Sequence, residues 1–134
     1  MTLVVEIPGL PPVALRGNQW TSTSNLMWQR RSAFVSWKST AGYAIIDARN
    51  RSGCAERWKD VPQVTIEVIF VLKDNRRIDT DNLEGQAMKP VWDAMVEVGM
   101  IPDDNHKVIT HRGYRAEVDP KRGPATIVEI TCDR

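Results

Sequence analysis

Cysteine is scarce in this sequence, and the two present, Cys54 and Cys132, lie far apart and form no C-x-x-C pair. Reduced thiols in a cytosolic setting are the expectation. Long apolar runs are missing too: no uninterrupted stretch approaches the roughly 20 residues that a membrane-spanning helix needs, which excludes such a span. No charged-then-apolar leader opens the chain at Met1, in keeping with a cytoplasmic protein. Repeats, linkers and low-complexity tracts are absent, so residues 1–134 read as one domain. Histidine is limited to His106 and His111, which fall in strand-like patterns without metal-ligand spacing to a partner and receive no role. Net charge is also small, +1, which taken alone argues against a nucleic-acid partner.

What is there changes that last point. Residues 1–59 carry eight Lys and Arg against three Asp and Glu, residues 60–105 carry four against ten, and residues 106–134 carry six against four. The middle is acidic and the ends are basic. A metal site needs clustered carboxylates and a polyanion groove needs clustered cations, so this layout suits an enzyme that does both; a chance fluctuation of a solvated surface is the competing reading. A chain of 134 residues with 42% apolar residues can bury about two-thirds of its unfolded surface. Folding therefore requires neither disulfides nor a structural metal, and a metal here would serve function.

Along the chain, Leu3 to Ile7 is a strand-type run that ends at Pro8-Gly9-Leu10-Pro11-Pro12, which cannot continue a sheet ladder. Residues 13–29 show no period and read as a long polar connection. From Gln29 to Arg51, Phe34, Trp37, Ala41, Ala44, Ile45 and Ala48 recur at three and four residues, the stripe of an amphipathic helix. Gln63 to Leu72 is β-branched and partly alternating, the clearest strand. Residues 82–98 carry a second helical stripe ending at Gly99. Pro90 requires either a kink within that helix or a main helix that starts near Lys89 with the proline at its first position. His106 to Val118 and Ala125 to Thr131 read as two strands joined as a hairpin by Asp119-Pro120-Lys121-Arg122-Gly123-Pro124. The expected fold is α/β in the α+β sense: a small mixed sheet of about four strands with two main helices, in the order β-loop-α-β-α-β-β.

The residues able to do chemistry concentrate between the clearest strand and the last two. In Arg76-Arg77-Ile78-Asp79-Thr80-Asp81-Asn82-Leu83, extended backbone would point Asp79 and Asp81 to one side, about 7 Å apart. Paired carboxylates suit a hard cation, Mg²⁺ or Mn²⁺. Asp81-Asn82-Leu83-Glu84 also has the form of a helix cap, and the two roles are compatible; Asp79 has no such structural task. Pro102-Asp103-Asp104-Asn105 is a second acidic cluster, equally readable as a surface turn. A helix of about 17 residues between the clusters would carry its far end some 25 Å away, so uniting them requires residues 100–103 to run back or a bend at Pro90 to shorten the reach. Lys89 and Asp93 share a helix face as an i, i+4 pair; facing a metal site, Lys89 could neutralise charge on a phosphate in the transition state. Arg16, Arg30, Arg31, Arg76 and Arg77 are candidate phosphate contacts, with solvated surface as the alternative for each. Trp20 and Trp28 can stack on opened bases, although packing is the commoner fate of such residues.

Taken together, R-R-I-D-T-D-N-L, then K-P-V-W-D-A-M-V-E-V-G-M-I-P-D-D, then N-H-K-V-I resembles the RusA-type Holliday junction resolvases, small homodimeric, Mg²⁺-dependent endonucleases of bacteria and phages. I-P-G-L-P-P near the start and the basic helix after it resemble the family as well. The similarity is strong over residues 76–109. It implies cleavage of phosphodiester bonds in branched DNA, resolving four-way junctions in recombination and repair. The implied metal ligands are Asp79, Asp81 and Asp104, with Asp103 as a neighbour. Lys89 matches the family's lysine when about four residues are taken as inserted after Leu83; without that gap the place falls on Gly85. A junction- or DNA-binding protein without cleavage is the alternative.

Overall fold

The computed structural model describes residues 1–16, 24–75 and 83–133, with backbone alone for 24–26. Four strands, β1 (Thr2–Pro8), β2 (Val64–Leu72), β3 (Ile109–Val118) and β4 (Ala125–Thr131), form one sheet in the order β1-β4-β2-β3. Helix α1 (Ser24–Arg51) follows β1, and α2 (Lys89–Glu97) lies between β2 and β3. This is the mixed α+β sheet with two helices expected from the pattern, in the expected order.

β2 and β4 are the two inner strands; β2 runs antiparallel to β4 and parallel to β3. Val68 to Leu72 of β2 are buried at successive positions, hence on both faces of the sheet, which is why that half of the strand reads as a continuous apolar run. Val64, Ile66, Val68 and Phe70 of β2, Leu3, Val5 and Ile7 of β1 and Val128 and Ile130 of β4 share the principal core with Trp37, Ala41 and Ile45 of α1 and Val91, Trp92 and Met95 of α2. Ile69, Val71, Ala125 and Ile127 form a separate small cluster; their alternation with the core residues assigns them to the other face of the sheet. Among the described residues, no helix is long and apolar enough to cross a membrane.

Three sequence expectations need correction. β3 and β4 are not a hairpin: β2 lies between them. The chain crosses the end of β2 instead, where the Asp119 N–H donates to the Leu72 carbonyl at 2.9 Å. Two strand spacings, about 10 Å, are well within the reach of the turn-forming residues 119–124, so a loop that looks like a hairpin turn can also step over a strand. Secondly, helix starts before Gln29: α1 is helical from Ser24, so the polar connection is shorter than residues 13–29. Of the two alternatives at Pro90, the helix that starts near Lys89 is the one present. A 3₁₀ turn, Gly85–Met88, precedes α2, which begins at Lys89 with Pro90 in its first turn, where a proline removes no helical hydrogen bond. Met88 occupies the cap position of α2, and Asp81, read as a helix cap from the sequence, lies outside the described residues. Finally, β3 begins at Ile109 rather than His106, because the Asn105 carbonyl accepts from the Val108 and Ile109 N–H groups in a turn.

Gly99 stops α2 as expected. With φ of +76°, its N–H donates to Val96 O and the Met100 N–H to Met95 O, both at 3.0 Å, closing the helix end in the left-handed conformation that glycine adopts without strain. Arg49 Nη1 donates to the Val98 carbonyl at 3.0 Å, and the Gly99 and Met100 carbonyls accept from Asp60 and Val61 N–H. The exit of α2 is thereby fixed to α1 and to the approach to β2.

Candidate functional site

Helix α2 has nine residues, so its two ends lie only about 13 Å apart rather than the 25 Å implied by one long helix. Beyond Gly99 the chain runs back. Asp103 Oδ1 accepts from the Asp104 N–H at 2.7 Å, and its Oδ2 accepts from Asn105 Nδ2 at 3.0 Å. The Asn105 side chain in turn accepts from the Lys107 and Val108 N–H groups. These side-chain-to-backbone bonds are the chemistry that makes Asp and Asn turn residues, and they give Asp103 a structural task.

The turn presents the Asp104 carboxylate to Lys89, the first residue of α2. Lys89 Nζ lies 2.5 Å from Asp104 Oδ2 and 3.2 Å from Asp93 Oδ1. The expected i, i+4 pair is therefore present, and the ammonium also reaches the second acidic cluster. The hydrogen bond from Lys89 holds the Asp104 carboxyl below its ordinary range, against a smaller opposing effect of burial. The bond to Asp104 likewise holds Lys89 above its ordinary value. At neutral pH both are charged. Lys89 is then a fixed positive charge and not a proton acceptor, since a general base must be unprotonated at working pH.

Behind this pair stands Arg112 of β3, which the sequence reading passed over. Its Nη2 donates to the Asp104 carbonyl at 2.6 Å, and its guanidinium carbon lies 5.4 Å from the centre of the Trp92 ring, within cation–π range. Its Nε is buried without a hydrogen-bond partner. Two residues on, Tyr114 stacks on Phe70 at 6.2 Å between ring centres. Burial pushes the Tyr114 phenol up, Glu84 adds to this and Arg112 opposes it. The only sequence signal for Arg112 was parity: it stands opposite Ile66, a core position of β2.

Compared with protein-family models and with curated proteins, the chain matches none.

The remaining candidates divide plainly. Asp79, Asp81, Arg76 and Arg77, together with Trp20, lie outside the described residues. Arg16 is half-buried, its Nε donates to the Pro11 carbonyl at 2.7 Å, and burial lowers its pKa; it braces the turn after β1. Arg30 and Arg31 lie on α1, Arg31 exposed. Trp28 is 73% exposed and so does not take the packed position expected for it. His111 Nε2 is 3.0 Å from Glu67 Oε1 on the strand surface.

For a hard cation the donor set is tested at Asp104. Its side chain is 19% exposed and already engages a cationic group, the Lys89 ammonium, with Asp93 on the other side. Carboxylate oxygens are the ligands Mg²⁺ takes, so the chemistry of the donors fits. Among the described residues no group of three or more His, Cys, Asp and Glu is gathered for a metal.

Proposed function

We propose that this chain is an Mg²⁺-dependent endonuclease that cleaves phosphodiester bonds in branched DNA and resolves four-way junctions, acting as a homodimer in the cytoplasm of a bacterium or of a phage-infected cell, as its resemblance to the RusA-type resolvases implies. The observation that supports this reading is the meeting of Lys89, Asp93 and Asp104. Residues from the start of α2 and from the turn beyond its end come together, so the helix does not hold the second acidic cluster away from its own first residue.

In this reading Asp79, Asp81 and Asp104 hold Mg²⁺, or Mn²⁺ in its place, which supplies Lewis-acid polarisation of a phosphoryl oxygen when bound. Lys89, charged at neutral pH, stabilises the negative charge that develops on the phosphate. Asp104 is aimed by its turn, with the Asp103 side chain on its N–H. Arg76 and Arg77, next to the paired aspartates in sequence, contact the phosphates of the approaching strand, and Arg30 and Arg31 extend the basic surface along α1.

The test is a labelled four-way junction incubated with and without Mg²⁺, using wild type and Asp79→Asn. Nicks that require both Mg²⁺ and Asp79 are expected. Salt-sensitive binding without nicks would favour a binding-only protein, and an intact junction under every condition with folded protein would overturn the nuclease reading.

A further inference from the structure

We infer that Arg112 is a positioning residue for Asp104, the clamp that fixes the aspartate's backbone so that its carboxylate faces Lys89. The inference rests on the nuclease reading above and adds to it a residue that touches neither metal nor substrate. Asp104 is held at both of its peptide groups: its N–H by Asp103 Oδ1 and its carbonyl by Arg112 Nη2. The first clamp belongs to the turn itself and moves with it. The second comes from β3, which is anchored along β2 by a continuous parallel register from Thr65 to Leu72, and it therefore ties the turn to the sheet.

The same guanidinium lies against Trp92, a buried residue of α2 one position before Asp93 and three after Lys89. Arg112 thus meets both halves of the site, the helix that carries Lys89 and Asp93 and the turn that carries Asp104. Its charge has no carboxylate within ion-pair reach among the described residues, because the contact with Asp104 runs through the main-chain carbonyl. The Asp104 carboxylate is consequently left for Lys89 and for a cation, where a side-chain salt bridge from Arg112 would have occupied it. The buried, unpartnered Nε is a cost to folding, and a methionine of similar length would avoid it. Nothing in the packing of this strand face demands a guanidinium; the Asp104 carbonyl does.

Arg112→Met and Arg112→Lys separate the positioning role from a packing role. Methionine keeps the bulk against Trp92 and loses the donor, whereas lysine keeps a cationic donor of similar reach. For junction cleavage, Arg112→Met is expected to lower kcat at least ten-fold and to raise the Mg²⁺ concentration for half-maximal cleavage, with KM for the junction within two-fold of wild type. Arg112→Lys is expected to restore most of the lost kcat. Thermal melts of both variants establish that they are folded, and Mn²⁺ binding followed by electron paramagnetic resonance without DNA should weaken in Arg112→Met in parallel with kcat. An active wild type whose Arg112→Met variant keeps its kcat and its metal dependence overturns the role of Arg112 alone. A lysine variant as impaired as the methionine one overturns the donor argument. A wild type that neither cleaves nor binds Mn²⁺ overturns the nuclease reading, and the positioning role with it.

Discussion

At the scale of single residues, the Lys89–Asp104 pair makes two separable predictions. The Lys89 side chain is half exposed, so solvent screening keeps the pair's contribution to stability below about 1 kcal/mol. Asp104 has a lowered folded-state pKa, so its share of that stability is present above the ordinary carboxylate value near ~4 and is lost as pH falls through the lowered one. Lys89, raised by the same contact, contributes below its ordinary value near ~10.4 and loses its share only as pH rises past the raised one. Lys89→Met should therefore cost under about 1 kcal/mol at pH 7, and urea midpoints of variant and wild type should converge as pH falls through the lowered Asp104 value. A difference that persists in acid would show that Lys89 stabilises through packing. Its effect on cleavage is expected to be far larger, about a hundred-fold in kcat, the scale on which charge-stabilising donors act. Asp103 should behave oppositely: Asp103→Asn keeps an acceptor for the Asp104 N–H and retains cleavage, whereas Asp103→Ala costs about 1 kcal/mol, read as a lowered melting temperature. The sequence made Asp104 and Lys89 visible as residue types at recognisable spacings, but it left Asp103 without a task and Arg112 unnoticed. The roles of these two are made by backbone hydrogen bonds, and no side-chain pattern encodes which carbonyl an arginine will find.

At the scale of elements, periodicity was legible wherever one face is buried and another is wet. The stripe of α1 from Phe34 to Ala48, the run of β2 and the Gly99 stop stand where the pattern places them. What escaped was the beginning of α1 and the 3₁₀ turn before α2. Residues 24–28 lack the apolar stripe, and Met27 and Trp28 are exposed, so no hydrophobic period could report that stretch as helix. At α2, apolar spacing of a 3₁₀ turn merges with that of the helix behind it, and Leu83, Ala87 and Val91 read as one face although the geometry changes at Lys89. Pro90 carried the information, and the alternative that set it in the first turn is the one adopted. Pro90→Ala should accordingly cost only the lost packing of a buried side chain, about 1–2 kcal/mol, because the N–H it adds sits in the first turn, where it has no helical acceptor. A gain near ~3 kcal/mol in a denaturant titration would instead mark a helix-interior site, where alanine relieves the proline's clash and missing hydrogen bond. Gly99→Ala, by contrast, should cost about 1 kcal/mol from the left-handed backbone, and it should loosen the exit that Asp60 and Val61 hold.

For the whole molecule, the order β1-β4-β2-β3 was the least legible feature, because strand adjacency depends on long-range pairing. Residues 119–124 look alike whether they close a hairpin or cross over β2. Yet this topology decides the site: a parallel β2 and β3 require a connection that returns along the sheet, and α2 with its turn is that connection, so Lys89 and Asp104 meet because the sheet is mixed. Charge segregation is likewise a whole-molecule property, and it gives the nuclease reading a test independent of cleavage. If the basic ends of the chain track DNA, junction binding in Ca²⁺ or without metal must fall with salt, each neutralised phosphate contributing about −0.9 to the slope of log affinity against log salt on duplex arms. Arg31, exposed on α1, is the described candidate whose replacement disturbs least: Arg31→Ala should leave the melting temperature unchanged, weaken binding of any sequence alike and reduce the slope by about one contact's worth. Arg16→Ala, which removes a brace on Pro11, should instead lower stability while leaving the slope as it was. Equal slopes for wild type and Arg31→Ala would remove α1 from the DNA-contacting surface, and a slope near zero for wild type would leave the segregated charge without a polyanion to explain it.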